Sequence, residues 1–389
     1  MHDSYSIAHL AVMKGGNGNF WKKKKQRPNE DSNRNSNCSS DKVIGNPSKR
    51  SYGESSVETG IVKASEEAWA GKLLPETLEK GSPNTSTISI AIPSSILKTA
   101  KSPELKASLV GQIARACAIH EVDEIIIYMD TYFDLNEEPE KGPGLFICRL
   151  LQYLECPIYM RSALFPVSDN LKLASLLPPL NMPHHMSSEC ASMYREGVVV
   201  GKPVANGSLV NVGLPVEAFI EHQLQAGVRV TVKLTDTTLI SKTSTKVPLI
   251  GEAVSPLAVR QEHGLYWGYQ TRLVSSFSEV FSGCPYDDDA TVTGYDLLIG
   301  HSEAGSITLD SISIQSKPFK HALIVFGGVG GIEACVEADQ SITIASKNSE
   351  SLFDHWLNLA PSKGSRTVRT EEVLLIGLAK LTAILGNKQ

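Results

Sequence analysis

The segment HALIVFGGVGGIEACVEAD, residues 321–339, joins a short apolar run to a cluster of glycines. Residues 321–326 have the composition of a buried strand, and the glycines follow it directly (Gly327, Gly328, Gly330 and Gly331). Glycine lets the main chain approach a ligand closely, so such a turn can line a binding site. It is neither a G-x-G-x-x-G fingerprint nor a P-loop, because no Lys-Ser or Lys-Thr follows it. Spacing alone leaves a ligand loop and an ordinary tight turn of an α/β domain equally open.

A second loop of the same kind lies further along the chain. The apolar residues 352–359 lead into Pro361 and Gly364. The next helix is predicted to begin at Thr370, because two glutamates in its first turn form a good N-terminal signature. Two loops built in this way can line one cavity with backbone N–H and C=O groups.

Apolar strands and helices alternate on both sides of the middle of the chain. The sequence predicts strands over 87–92, 123–129, 157–160 and 295–300, and helices over 103–120, 144–154 and 267–281. In the first helix, apolar residues recur every four positions on one face (Leu105, Leu109, Ile113 and Cys117). The alternation indicates a parallel sheet with crossover helices.

Prolines and short β-rich runs interrupt this pattern in the middle of the chain. LLPPLNMPHHM, residues 176–186, contains three prolines and cannot form a regular element. Residues 197–254 contain short strands punctuated by Gly, Pro and Asn, a composition that suits a small barrel or sandwich such as an OB-like module. A β-rich dimerisation or packing arm is the alternative.

The first 85 residues differ from the rest in composition and charge. They are rich in Asn, Ser, Gly and Lys, so we expect them to be mostly disordered, with one short helix over 65–74. Their 13 basic and 10 acidic residues give +3, which leaves −8 for the rest of a chain whose net charge is −5. Positive charge is concentrated in residues 22–50 (+6) and 195–260 (+2), where we expect contacts with an anionic partner. The cluster KKKKQR (residues 22–27) indicates either a nuclear import signal or nucleic-acid arm, or a merely solvated charge run.

Metal sites and membrane spans are not expected. The seven cysteines include no C-x-x-C pair, which fits reduced thiols in a reducing compartment. His184 and His185 are adjacent in the proline-rich segment without a third ligand nearby, so we expect a loop there and no metal. No run of eighteen apolar residues is present, so we expect no membrane span.

Several motifs resemble the SPOUT methyltransferases, the knotted class that uses S-adenosylmethionine. SRTVRTEE (residues 365–372) resembles the R-x-x-R-T-E motif of bacterial ribosomal-RNA uridine-N3 methyltransferases, and FGGVGGIE (326–333) resembles their Gly-Gly turn after a strand. The other matching motifs occur in the order of a eukaryotic and archaeal subgroup: TISIAIPSSIL (87–97), DEIIIYMD (123–130), YWGYQTRL (266–273) and YDLLIGHSE (295–303).

The resemblance implies a fold and a domain organisation. The fold is an α/β SPOUT methyltransferase domain with a parallel sheet and a C-terminal trefoil knot, interrupted by a small β-rich, OB-like domain. The expected parts are a basic tail (1–84), a first SPOUT half (85–185), the insertion (186–260), and a second SPOUT half with the cofactor-binding knot (261–389).

The resemblance also implies that S-adenosylmethionine is the cofactor and that backbone from several loops holds it. The implied cofactor-binding residues are Gly300, His301, Ser302, Glu303, Phe326, Gly327, Gly328, Asn358, Leu359, Ala360, Gly364, Arg366, Thr367, Val368 and Thr370. Turn formation alone is the alternative role for these residues.

Arg272, Glu303 and Arg366 are the predicted catalytic residues. Arg272 lies in the helix predicted over 267–281, where it can steady a developing uracil anion or hold a phosphate, with a surface ion pair as the alternative. Glu303 can face the positive sulfonium or accept a proton, and Arg366 can serve either catalysis or cofactor binding. A proton acceptor is needed because one proton must leave the acceptor nucleotide.

The expected function is an S-adenosylmethionine-dependent RNA methyltransferase, with uridine N3 of ribosomal RNA as the most specific target that the resemblance implies. We expect RNA and a second copy of the chain as partners, and localisation in the nucleus, the nucleolus included, with the cytoplasm as the alternative. The alternative function is a catalytically silent SPOUT-fold scaffold associated with chromosomes or the spindle.

Overall fold

Six strands rich in Ile, Leu and Val form one parallel sheet. The computed structural model describes residues 86–130, 142–235, 247–286, 294–305 and 319–385, which belong to one compact unit, Leu74–Gln389. The strand order is β11-β9-β10-β1-β2-β8. The strands are β1 (Thr87–Pro93), β2 (Glu124–Tyr128), β8 (Gln270–Val274), β9 (Leu297–His301), β10 (His321–Phe326) and β11 (His355–Leu357). The three central strands β10, β1 and β2 are almost wholly buried, as expected of a parallel sheet covered on both faces.

Helices cover both faces of the sheet. They are α1 (Pro103–Ile119), α2 (Pro143–Glu155), α3 (Ile158–Leu164), α4 (Pro256–His263), α5 (Gly331–Ala338) and α6 (Thr370–Leu385). On one face α1 packs against both α2 and α6 over a large aliphatic core. On the other face α5 packs with aromatic residues from the segment after β8. Packed helices therefore cover both faces of the sheet from which the loops after β9, β10 and β11 emerge.

A closed five-stranded barrel interrupts this domain. Its strands are β3 (Tyr194–Val199), β4 (Ser208–Asn211), β5 (Ala218–Ile220), β6 (Arg229–Leu234) and β7 (Leu249–Val254), in the order β3-β4-β5-β7-β6. An aliphatic core of its own includes Val210, Ile220 and Val232. The small barrel predicted from the composition of residues 197–254 is confirmed.

A buried network of charged groups fixes the barrel to the helical face of the sheet domain. Arg229 on β6 makes a bidentate contact with Glu155 on α2 (2.5 and 2.8 Å) and a third contact with Glu196 on β3 (2.6 Å). Trp267 Nε1 donates to the second carboxylate oxygen of Glu196 (2.6 Å), and His184 Nε2 lies 2.9 Å from Glu155 Oε1. Burial opposes ionisation of both carboxyls, but the attraction of Arg229 and its hydrogen bonds keep the pKa of each below its usual value. His184 therefore belongs to this junction.

Two predicted elements are wrong. Residues 267–281 do not form a helix, because Gln270–Val274 pairs with β2 as the edge strand β8 and only Ser278–Phe281 forms a 3-10 turn. Gly268, with φ at +92°, separates this strand from the chain before it. The strand predicted over 157–160 is instead the start of α3. Both errors arise in short segments whose sequence has no periodicity long enough to distinguish strand from helix.

The other predicted strands and helices of the sheet domain are confirmed within a few residues. One residue departs from the predicted pattern: Leu105 is 57% exposed, whereas Leu109, Ile113 and Cys117 are buried. The expectations for the amino-terminal tail, including disorder, the helix over 65–74 and the KKKKQR cluster, lie outside the described residues. Among the described helices, none has the length and apolar character to cross a membrane.

Candidate functional site

Three loops emerge side by side from the carboxyl ends of β9, β10 and β11. In the sheet register, His301 at the end of β9 lies opposite both Phe326 of β10 and Leu357 of β11. Ligands of open α/β sheets bind at this edge of the strands. The residues predicted to bind the cofactor, 300–303, 326–328 and 358–360, are thus brought together by strand pairing.

His301 and Ser302 tie the first loop to the other two. His301 Nδ1 lies 3.1 Å from the Leu357 carbonyl oxygen and 3.4 Å from the Leu359 backbone nitrogen. Burial lowers the pKa of His301, which favours the neutral imidazole at neutral pH. Ser302 donates its hydroxyl to the carboxylate oxygen Oε1 of Glu333 on α5 (2.6 Å). Both side chains position loops, and neither projects far into solvent.

Glu303 places a negative charge beside the loop that follows β11. Its carboxylate lies 2.6 Å from Lys363 Nζ, and its carbonyl oxygen accepts a hydrogen bond from Asn358 Nδ2 (3.0 Å). The hydrogen bond from Lys363 lowers the pKa of Glu303, so the group is ionised at neutral pH. A carboxylate held in this way suits attraction of a positive charge better than uptake of a proton.

Side chains of helix α6 donate hydrogen bonds to the backbone of two of these loops. Thr370 Oγ1 donates to the Gly327 carbonyl oxygen (3.1 Å), and Lys380 Nζ donates to the Leu359 carbonyl oxygen (3.0 Å). The Glu372 carboxylate accepts the Arg369 N–H (2.9 Å), as expected of a capped helix start. The predicted helix start at Thr370 is confirmed. Through these two contacts α6 joins the glycine turn to the loop that follows β11.

The glycine turn has no room for side chains at two positions. A β-carbon on Gly327 would collide with the backbone of Gly331, and one on Gly328 would lie 2.8 Å from Ser95 Oγ and 3.3 Å from Asp130 Oδ2. Gly328 instead forms part of the wall of an open cavity of about 230 Å³. The other lining residues are Ser95, Lys98, Asp130, Val329, Gly330, Gly331, Ala334 and Cys335.

Three polar residues of this lining, and Glu333 close to it, were not predicted from the sequence. Ser95 and Lys98 follow β1, Asp130 follows β2, and Glu333, which contacts Ser302, begins α5 after β10. A usable signal was present, because polar side chains directly after parallel strands meet at one edge of the sheet. Cys335, expected to be a buried structural thiol, is indeed buried, and burial raises its pKa to about 11.

The loop that follows β11 has an exposed part, which contains Gly364, Arg366 and Thr367. Within the described residues Arg366 makes neither an ion pair nor a hydrogen bond, and a β-carbon on Gly364 would meet no atom within 4 Å. Val368 supplies a backbone hydrogen bond to Glu303. This loop is therefore open on its outer side and attached to the first loop on its inner side.

Gly300 and Arg272 serve the packing of the protein. A β-carbon on Gly300 would lie 2.6 Å from the Trp356 ring and 2.9 Å from Phe353, so this glycine admits the side chains that cover β9. Arg272, at the opposite edge of the sheet, uses every donor of its guanidinium within the protein. Its partners are the carboxylate of Glu124 (2.8 Å), the hydroxyl of Tyr295 (3.0 Å) and the carbonyl oxygens of Glu279, Val280 and Ser282.

This arrangement argues against the catalytic role predicted for Arg272. The side chain lies on an edge strand instead of the predicted helix, and no donor is left for a substrate within the subunit. Trp267, the first residue of the helix predicted over 267–281, is buried at the barrel junction. The sequence does not reveal this structural role of Arg272, because its partners come from distant parts of the chain.

The described residues contain no cluster of His, Cys, Asp and Glu that could hold a metal ion. His184 and His185 both lie within hydrogen-bonding distance of the Glu155 carbonyl oxygen, at 3.0 and 2.6 Å. Burial and the neighbouring His184 lower the pKa of His185 to about 4. Their contacts are those of a structural pair at the barrel junction.

Comparison with known proteins gives one consistent family. Residues 87–381 match the family described as "Putative RNA methyltransferase". Over 305 residues the chain is 46% identical to a mouse 28S rRNA (uridine-N(3))-methyltransferase, covering 76% of each chain. It is 44% identical over 316 residues to the human protein of that name, covering 79% of this chain and 80% of the relative. The Drosophila melanogaster protein of that name is 42% identical over 331 residues, and the match spans 81% of this chain but only 66% of that longer relative.

Proposed function

The chain belongs to this family of RNA methyltransferases, and we propose that it transfers a methyl group from S-adenosylmethionine to uridine N3 in 28S ribosomal RNA. The single observation that carries this proposal is the convergence of the loops after β9, β10 and β11 around a glycine turn. The substrate follows from the names of relatives that are 42–46% identical.

The residues present fit S-adenosylmethionine. Gly327 and Gly328 expose backbone where no side chain fits, and the loop around Arg366 is open on its outer side. The Glu303 carboxylate supplies negative charge at the same edge of the sheet. When bound, the cofactor supplies an electrophilic methyl group on a positively charged sulfur. We assign its binding to residues 301–303, 326–328, 358–360, 364, 366–368 and Thr370.

The protein's own residues contribute mainly by positioning. His301, Ser302 and Thr370 hold the loops in register, and orientation of two reactants can supply a large part of a rate enhancement. Arg366 offers an unpaired cation, among the described residues, for an RNA phosphate or for the negative charge that develops on the uracil ring. We therefore place Arg366 ahead of Arg272 as the charge-stabilising residue.

Finer features of the fold are part of the same proposal. We propose that the C-terminal segment forms a trefoil knot, which is supported by the return of α6 from the edge strand β11 to pack against α1. We propose that the barrel is OB-like and contacts the RNA backbone, supported by its closed five strands and by the +2 charge of residues 195–260.

We propose that the active form is a homodimer. Leu375 and Ile376 on α6 leave apolar side chains exposed, which supports an interface on that helix. Nuclear localisation is proposed from the KKKKQR cluster alone. Light scattering at micromolar concentration tests the dimer, and a fully active monomer would exclude it.

Methyl transfer to RNA tests the proposed function directly. Purified protein, S-adenosylmethionine and 28S rRNA fragments should yield 3-methyluridine, identified by mass spectrometry of digested nucleosides. A methylated base other than 3-methyluridine would refute the assigned position. Binding of S-adenosylhomocysteine without any transfer, to fragments or to whole 28S rRNA, would favour the silent scaffold.

A further inference from the structure

Asp130 is held by three hydrogen bonds on the side of the glycine turn where β1 and β2 end. Ser95 donates its backbone N–H to Asp130 Oδ1 (3.1 Å) and its hydroxyl to Oδ2, and the Ser94 hydroxyl lies 3.4 Å from Oδ1. Two of these contacts reach Oδ1 and one reaches Oδ2. Because each carboxylate oxygen accepts about two hydrogen bonds, the remaining capacity is on Oδ2.

This free capacity faces the cavity bounded by the glycine turn. Oδ2 is the Asp130 atom nearest the position that a β-carbon on Gly328 would occupy, at 3.3 Å. Lys98 lines the same cavity, and Val329 on its rim exposes 82% of its surface, which provides an apolar contact for a flat ring. In the described part of the chain, no Lys or Arg forms an ion pair with Asp130. The cavity thus combines an oriented acceptor, a cation and an apolar rim beside a proposed cofactor loop.

We propose that this cavity binds the acceptor uracil and that Asp130 is the general base that takes its N3 proton. The inference rests on the proposed function and deepens it. As the bond between N3 and the methyl carbon forms, the bond from that carbon to sulfur breaks and sulfur keeps the electron pair. The N3 proton passes to Asp130 Oδ2 and leaves through the open side of the cavity. Lys98, which lines the cavity, is a second cation beside Arg366 for stabilising the negative charge that spreads onto the ring oxygens.

The neighbouring carboxylates are less suited to this role. Glu303 is paired with Lys363 and belongs to the loops on the other side of the turn. Glu333 accepts the hydroxyl of Ser302 and contacts the turn at Gly331, where a β-carbon would collide with it. Asp130, by contrast, has only hydroxyl and N–H partners and faces an opening of sufficient size for a ligand.

Single-turnover kinetics of Asp130→Asn test the proposal, with an RNA fragment that the wild type methylates. The rate should fall by roughly 10²–10⁴-fold, the range for loss of a general base. The affinities for S-adenosylhomocysteine and for the RNA should change less than about threefold, which corresponds to roughly 0.6 kcal/mol of binding free energy. Asp169→Asn, on an exposed surface pair, is the matched control and should retain the wild-type rate.

Two chemical readouts separate a base from a merely structural residue. The residual rate of Asp130→Asn should rise with pH in the alkaline range, because ionised uracil no longer needs a base. Substrate with 5-fluorouridine at the acceptor position, whose N3 proton is more acidic, should recover part of the lost rate. An unchanged rate in Asp130→Asn, or a loss that neither alkaline pH nor 5-fluorouridine reduces, would overturn the assignment.

Photo-crosslinking locates the bound acceptor uracil without any methyl transfer. RNA with 4-thiouridine at the acceptor position, bound to wild-type protein with S-adenosylhomocysteine, should crosslink to peptides that contain residues 94–98 or 328–334. Crosslinks confined to the barrel or to α6 would refute the cavity. If the wild type methylates an RNA atom other than uridine N3, the proposed function fails, whereas crosslinking at the methylated nucleotide still decides whether the cavity holds it.

Discussion

At the scale of single residues, Gly328 is the position where the smallest change should have the largest effect on ligand binding. A valine there would collide with Ser95 and Asp130 and so displace the glycine turn whose backbone is assigned to the cofactor. Gly328→Val should therefore lower the affinity for S-adenosylhomocysteine at least tenfold by calorimetry, a loss of about 1.4 kcal/mol. Gly201→Ala is the control, because its β-carbon would meet only Ala226 at an ordinary 3.5 Å. Unchanged affinity in folded Gly328→Val would exclude the glycine turn from the site.

Arg272 gives a second prediction at this scale. Its removal leaves the buried carboxylate of Glu124 without its cation, and loss of one partner of such a pair costs about 3 kcal/mol. Arg272→Met should lower the free energy of unfolding by that order in urea, whereas Lys172→Met, which breaks an exposed pair, should change it little. The folded variant should keep its affinity for S-adenosylhomocysteine. If stability is unchanged and turnover falls a hundredfold, the catalytic role predicted from the sequence is right after all.

These residues show which parts of the site are readable from sequence. The positions of the glycine turn, the 301–303 loop and Thr370 are predictable because each of them follows or begins a periodic element. The surroundings of Arg272 and Asp130 are not predictable, since their hydrogen-bond partners are brought near only by the fold. Arg272 meets Glu124 and Tyr295, and Asp130 meets Ser95, across distances in sequence that no local pattern spans.

At the scale of elements, apolar composition predicted the strands of the sheet well but failed for one edge strand. The strands β1, β2 and β10 are rich in Ile, Leu, Val and Ala, a composition typical of central parallel strands. The segment Gln270–Val274 is more polar, and its pairing with β2 decides its structure. Tertiary pairing of this kind overrides local propensity, which explains why a helix was predicted there.

The junction between α2 and the barrel should be sensitive to acid. The pKa of Glu155 is below its usual 4.5 in the folded protein, so its contribution to stability is complete above that pH and is lost as the pH falls towards the folded value. Glu155→Gln should be destabilised by about 3 kcal/mol at pH 7, because Arg229 loses a buried partner. That difference from wild type should shrink below about pH 4.5 in denaturant unfolding.

The matched control for this junction is Glu217→Gln, which removes a surface pair with Lys202. Exposed pairs of this kind contribute little, so this variant should follow the wild type at every pH. Asp123, whose pKa burial raises to about 6 despite its pairing with Arg260, titrates in the opposite sense. Its contribution is common to all three proteins and cancels in their differences. A Glu155→Gln deficit that is independent of pH down to 3 would show that the pKa of this carboxyl is not lowered in the folded state.

At the scale of the whole molecule, the order of elements was predictable and the shape of the site was not. The motifs occur in the chain in the order β1, β2, β8, β9, β10 and α6, and this order indicates one interrupted α/β domain. The cavity between Asp130 and the glycine turn depends on β1 lying between β2 and β10, which is a property of the sheet order. Composition cannot show that order, and only the resemblance to a family implied it.

Charge distribution carries the last prediction, which concerns RNA affinity of the entire chain. Residues 86–389 have a net charge of −8, whereas residues 22–50 have +6, so the tail should supply much of the attraction to RNA phosphates. Deleting residues 1–80 should leave the affinity for S-adenosylhomocysteine intact, because every assigned cofactor residue lies beyond position 300. The slope of log Kd against log salt should fall by about 3 if roughly half of the nine basic residues in 22–50 contact phosphates, at about 0.7 per contact. Fluorescence anisotropy with a labelled RNA at several salt concentrations measures this slope. Replacing the basic residues of 22–27 with Gln is the control for tail length, and it should reproduce part of the loss. A deletion that abolishes S-adenosylhomocysteine binding would show that the methyltransferase domain begins before residue 81.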